Sequence, residues 1–145
     1  MMLRKIGYAA LALAVVAQLV PYGHTHENPP VVKEPAWNKP ETRALAQGAC
    51  FDCHSNETAW PWYSNVAPVS WFVEQDVSDA RRTLNFSEWQ KTYRHAKDAP
   101  GAVHEGEMPL RSYRLMHSPA RLTPEQKQAL EDGLKASLGV SGGDQ

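Results

Sequence analysis

A chain of 145 residues with a formal net charge of −1 has room for one domain and a short appendage, and offers no electrostatic case for nucleic acid or for broad adhesion to anionic lipid. At 42% hydrophobic residues the core is modest, so a bound prosthetic group would add apolar contact that side chains alone cannot supply. Two cysteines three positions apart cannot close a long loop, which excludes a disulfide framework, and the near absence of alternating β-branched runs argues against strands.

Arg4 and Lys5 precede an uncharged stretch from Ile6 to Gly23, in which Gln18 is the only strongly polar side chain. Its eighteen residues, at about 1.5 Å each, give roughly 27 Å of helix, slightly less than a ~30 Å hydrocarbon core. Two readings compete for residues 1–23: a signal peptide cleaved after Val15-Val16-Ala17, or an anchor helix from about Ile6 to Tyr22. The anchor is favoured, because valine is a mediocre residue at the cleavage position. Either one puts the rest of the chain outside the cytoplasm.

Residues 24–40 hold Pro29, Pro30, Pro35 and Pro40, and no helical period survives that spacing. They read as a Pro-rich linker, either an extended spacer or a strap along the domain surface, with His24 and His26 solvated. Residues 41–139 are expected to form the domain and 140–145 a flexible tail.

Four helices are expected in the domain. The first runs from Glu41 to Cys53, with Pro40 at its start. The second runs from about Pro68 to Thr83, where Val69, Phe72, Val73, Val77, Ala80 and Leu84 form one apolar stripe. Ser87 with Gln90 resembles a capping box for a third, carrying Trp89, Tyr93 and Ala96 on one side. Thr123-Pro124 with Gln126 opens the fourth, in which Leu130, Leu134 and Leu138 recur every four residues. The class is all-α with long ordered loops.

The chemistry lies in Cys50-Phe51-Asp52-Cys53-His54, the C-x-x-C-H pattern of covalent haem attachment. Two thiols at this spacing lie on adjacent turns of helical backbone and can reach the two vinyl groups on one porphyrin edge. His54, next in sequence, can then bind iron from the proximal side. Rival uses are weaker. A dithiol redox motif lacks its βαβ surroundings, zinc lacks a second ligand pair, and unligated thiols outside the cytoplasm would oxidise. One covalent haem c is the expected cofactor.

A sixth iron ligand has several candidates. Met108, in Gly106-Glu107-Met108-Pro109, offers a soft thioether from a loop, although a gap-filling apolar role also suits it. His104 and His117 would give bis-histidine ligation, while Met116 and His95 fit packing and hydrogen bonding. Among the aromatic residues, Trp71 and Phe72 read as core, and Trp60-Pro61-Trp62 as a wall that keeps water from the iron.

The runs Asn28-Pro29-Pro30-Val31, Cys50 to Thr58, Trp60 to Ser64, Pro68 to Trp71, Leu84 to Trp89 and Gly106 to Pro109, with Tyr113, His117 and Leu122, resemble the bacterial haem-binding domain family. That resemblance covers nearly everything after residue 28 and implies a small cytochrome c-like helical domain around one haem, commonly behind an N-terminal membrane segment. It implies Cys50 and Cys53 as attachment sites, His54 as proximal ligand and Met108 as distal ligand. The last helix departs from it in lacking a tryptophan near its end. The expectation is an electron carrier in the periplasm, tethered to the bacterial inner membrane and serving a redox partner protein or membrane electron-transfer complex. The alternative is a haem enzyme or a gas or redox sensor with an open or displaceable sixth ligand.

Overall fold

The structure is a computed structural model and describes residues 2–139; the expected tail, residues 140–145, lies outside them. In chain order the helices are α1 (Met2–Gln18), α2 (Pro40–Ala49), α3 (Phe51–His54), α4 (Val69–Thr83), α5 (Ala99–Glu105), α6 (Arg111–Met116) and α7 (Pro124–Ser137). Among the described residues the only sheet-like pairing is an isolated bridge between Lys33 and Glu88. The fold is all-α, as the composition implied.

No residue of α1 is buried. It stops at Gln18, short of the expected end at Tyr22, because Pro21 lacks a backbone N–H and disfavours helical geometry at Val20 before it. Among the described residues no helix is long and apolar enough to cross a membrane. The end of α1 is held to the domain through Gln18, whose side-chain amide donates to the Ala67 carbonyl (2.9 Å) and accepts from the Ala67 N–H (3.1 Å). Tyr22 donates to Gln75 at 3.2 Å.

Residues 24–40 take the strap alternative. Asn28 donates to the Thr58 carbonyl, and the N–H groups of Val32 and Lys33 both donate to the Ser87 carbonyl. The histidines are not solvated as expected. His26 stacks on Trp60 at 4.6 Å and donates to the Ser64 carbonyl, and His24 is half-buried. Near the strap's end, Glu34 takes a two-pronged ion pair from Arg43 of α2 at 2.6 and 2.7 Å.

Pro40 opens α2 as expected, but the helix breaks at Cys50 (φ −127°) before α3. The break lets α2 pack on α7 while α3 turns onto α4. Ala46, Ala49, Phe51, Leu84, Phe86, Val103, Leu130 and Leu134 form the buried core. Where α7 crosses α2, a Cβ at Gly133 would run into the Thr42 side chain, so only glycine permits that approach. The capping box at Thr123 and Gln126 is present in full.

The helix expected from Ser87 does not form. The strap occupies the backbone there: Ser87 O accepts from Val32 and Lys33, and the Trp89 N–H donates to Lys33 O. The Ser87 hydroxyl accepts from Asn56 N–H instead of capping a helix. Helix formation is displaced to α5, which ends at Gly106 in left-handed geometry (φ +78°).

Candidate functional site

The break at Cys50 produces the local geometry of the motif. The Cys50 N–H still closes α2 onto Ala46 O (2.7 Å), and the Cys50 carbonyl accepts from both Cys53 N–H (3.2 Å) and His54 N–H (2.8 Å). Cys50, Cys53 and His54 thus occupy one tight turn. Phe51 points the other way, into the core with Phe86 at 5.7 Å.

The chain after His54 is tied to the chain leaving α4. The Phe86 N–H donates to His54 O (2.8 Å), Asn56 N–H to Ser87 Oγ (2.9 Å), and Asn85 Nδ2 to Asn56 Oδ1 (2.8 Å). Across this seam His54 Nδ1 lies 3.0 Å from the Leu84 carbonyl. A carbonyl only accepts, so Nδ1 carries the hydrogen and Nε2 keeps a free lone pair. Burial lowers the pKa of His54, which favours the neutral, ligating imidazole.

Arg81 of α4 fastens this region from outside. Its guanidinium donates to Ser55 O, Glu27 O, Asn28 Oδ1 and Thr58 Oγ1 at 2.8 to 3.0 Å, joining the strap to the segment just after His54.

Both cysteines are half-buried and unpaired in disulfide. Desolvation pushes the Cys50 thiol up to about 12, with Cys53 adding to it, and pushes the Cys53 thiol up to about 11, with Asp76 and Asp52 adding to it. These surroundings hold the sulfurs neutral. They suit a thioether and do not suit a reactive or metal-binding thiolate.

Met108 is brought to the same place by a different route. After Gly106 ends α5, the Met108 N–H donates back to Ala102 O (3.1 Å), and the side chain meets a cavity of about 320 Å³ that Cys50, Cys53 and His54 also line. That cavity adjoins one of about 400 Å³, sharing Cys53 and Tyr113, and one of about 220 Å³, sharing Cys50, His54 and Met108. Together they make one crevice between α4 and the α5–α6 segment.

The stripe on α4 explains its apolar walls. Of α4 only Ser70 and Val77 are buried, while Val69, Phe72, Val73 and Val77 line the larger cavity. Phe72 is therefore not the core residue expected but 68% exposed, because the face it belongs to borders a cavity instead of protein. Trp62 walls the same cavity, whereas Trp60 stacks under the strap. His104 pairs with Glu131 at 3.0 Å and borders none of the three cavities. His117 borders the larger one, but its ring stacks on Tyr113 at 3.9 Å and its Nδ1 donates to Tyr113 O.

Three groups take roles here that residue type and spacing do not signal. Asp52, inside the motif, accepts from Ala59 N–H (2.9 Å) and from the Tyr113 hydroxyl (2.6 Å). Burial and that bond keep the Tyr113 phenol protonated. The third is the Leu84 carbonyl, a backbone group that carries no residue-type signal.

A crevice with apolar walls, one imidazole nitrogen free to ligate, two neutral thiols and a thioether fits an iron porphyrin. A family model described as a haem-binding domain matches residues 12–136. The chain belongs to the haem-binding domain family. The match takes in the strap, the whole crevice and most of α7. No curated protein and no solved structure gave a match.

Proposed function

We propose that this haem-binding domain carries one haem c, attached covalently through Cys50 and Cys53 with His54 as proximal and Met108 as distal ligand, and that it transfers electrons. The observation that carries the reading is the convergence of His54, two neutral thiols and the Met108 sulfur on one apolar crevice. Haem bound there supplies one-electron exchange between ferric and ferrous iron. Each thiol gives its sulfur and hydrogen to one vinyl group, so attachment consumes both cysteines with no external oxidant or reductant. The Leu84 carbonyl orients the His54 imidazole, and Val69, Val73, Val77 and Trp62 keep water from the crevice.

In this reading the carrier works in the periplasm and serves a redox protein or a membrane electron-transfer complex. The N-terminal segment tethers it to the inner membrane. The tether is supported by a helix that is apolar all round, buries no residue against the domain, and has Arg4 and Lys5 at its start. Local thinning of the bilayer is the known accommodation for such a short apolar helix.

Acid-acetone extraction followed by intact mass measurement tests the attachment. Colour should stay with the polypeptide, and the mass should rise by one haem; full extraction of colour would end the proposal. Replacing Met108 by alanine tests the distal ligand. The sulfur-to-iron charge-transfer band of the ferric protein should vanish and the reduction potential should fall.

One observation favours the second reading, a haem enzyme or sensor with a displaceable sixth ligand: Met108 is 37% exposed. Carbon monoxide binding at ordinary concentration, or turnover of peroxide, would move the conclusion there.

A further inference from the structure

The distal loop has two restraints on opposite sides of Met108. On the N-terminal side, Met108 N–H is bonded to Ala102 O of α5. On the C-terminal side, Pro109 and Leu110 lead straight into α6, whose third residue is Tyr113. The Tyr113 hydroxyl reaches across the crevice to Asp52 Oδ2 at 2.6 Å. Asp52 lies between the two cysteines, on the turn that presents His54, so this one bond joins the attachment turn to the segment carrying Met108.

The carboxylate is anchored for the task. Its other oxygen accepts from Ala59 N–H, and its backbone carbonyl accepts from Thr58 Oγ1 at 2.7 Å. The Tyr113 ring is held in turn by its stack on His117. Met108 itself is exposed, so packing of its own side chain does little to fix the sulfur. Its reach toward the crevice depends on where α5 and α6 place the loop.

We propose that the Asp52–Tyr113 hydrogen bond is a latch that sets how firmly Met108 is held as sixth ligand, making Tyr113 and Asp52 positioning residues for the distal side. The proposal rests on the assignment of Met108 as that ligand. A hydrogen bond to a charged acceptor in a half-buried setting is strong enough to govern whether a loop stays seated, and its loss should weaken methionine ligation about tenfold.

The experiment titrates the ferric holoprotein with imidazole and reads its displacement of Met108 from the charge-transfer band. Tyr113→Phe removes one oxygen and keeps the stacked ring. It should lower the imidazole concentration for half displacement about tenfold. Asp52→Ala should do the same from the other end, and the double variant should go no further than either single one. In a Met108→Ala background, imidazole affinity should not respond to Tyr113→Phe, because no sulfur is left to hold; a bond that only supports the fold would shift affinity in both backgrounds.

Two failures are distinguishable. If Met108→Ala leaves the ferric spectrum unchanged, the ligand assignment falls and the latch falls with it. If Met108→Ala behaves as expected but Tyr113→Phe leaves displacement at its native concentration, the latch alone is wrong.

Discussion

Arg81 shows how much one side chain can organise. Four oxygens from the strap and from residues 55–58 converge on its guanidinium, and one of them is the main-chain carbonyl of the buried Ser55, which needs a donor away from water. Lysine could not replace it, because a single ammonium cannot span acceptors spread across a planar fork. Arg81→Ala should destabilise the holoprotein by about 2–3 kcal/mol in urea unfolding, and Arg81→Lys should recover only a minor part. Equal stability in Arg81→Lys would mean that charge alone matters. The arginine was invisible as a site residue in the sequence, since Arg81-Arg82 near the end of a helix reads as an ordinary favourable charge on the helix dipole.

At the scale of elements, periodicity and capping located α2, α4 and α7, and Thr123 with Gln126 did so within a residue. The C-x-x-C-H motif singles out Cys50, Cys53 and His54, and the fold places all three on one crevice. Two kinds of information were missing. One was tertiary: Ser87 looked like a helix cap but was claimed by Asn56 and the strap, a competition no local pattern records. The other was the identity of whatever fills a surface. The stripe on α4 was read correctly as apolar, yet its partner is a crevice, so Phe72 was misplaced. Pro21 is the local signal that ends α1 at Gln18.

The strap's grip on α2 carries a pH dependence. Glu34 is held below its ordinary value of 4.5, chiefly by the hydrogen bond from Arg43, with Trp37 and the charge of Arg43 adding to it against the opposing effect of burial. A depressed folded value means that the stabilisation is complete above the unfolded value and drains away as pH falls through the lower folded one. The difference in thermal midpoint between the native chain and Glu34→Gln should therefore be constant near neutrality and shrink on acidification below about pH 4.5. A difference independent of pH would show that the ion pair contributes nothing through its charge.

Among the described residues, burial is uneven around the crevice. The Phe51–Phe86–Leu130–Leu134 core is buried, with only Phe86 and Leu134 of these four bordering the smallest of the three cavities, whereas the N-terminal part of α4 leans on the one of about 400 Å³. Stability should follow the same division, because a group that binds only the folded state stabilises it by linkage. A Cys50→Ser, Cys53→Ser chain isolated without haem should keep slow hydrogen exchange in α7 and show faster exchange in α4. Uniform protection in both helices would mean that the crevice walls hold without a filling.

The apolar side of α4 on which Val69 and Phe72 stand exposed has a consequence for the chain before haem is bound. A copy that has missed its haem presents that face to water, an invitation to self-association. Loading covers that face and withdraws the invitation. The helix that lines the crevice thus ties the solubility of the chain to its loading.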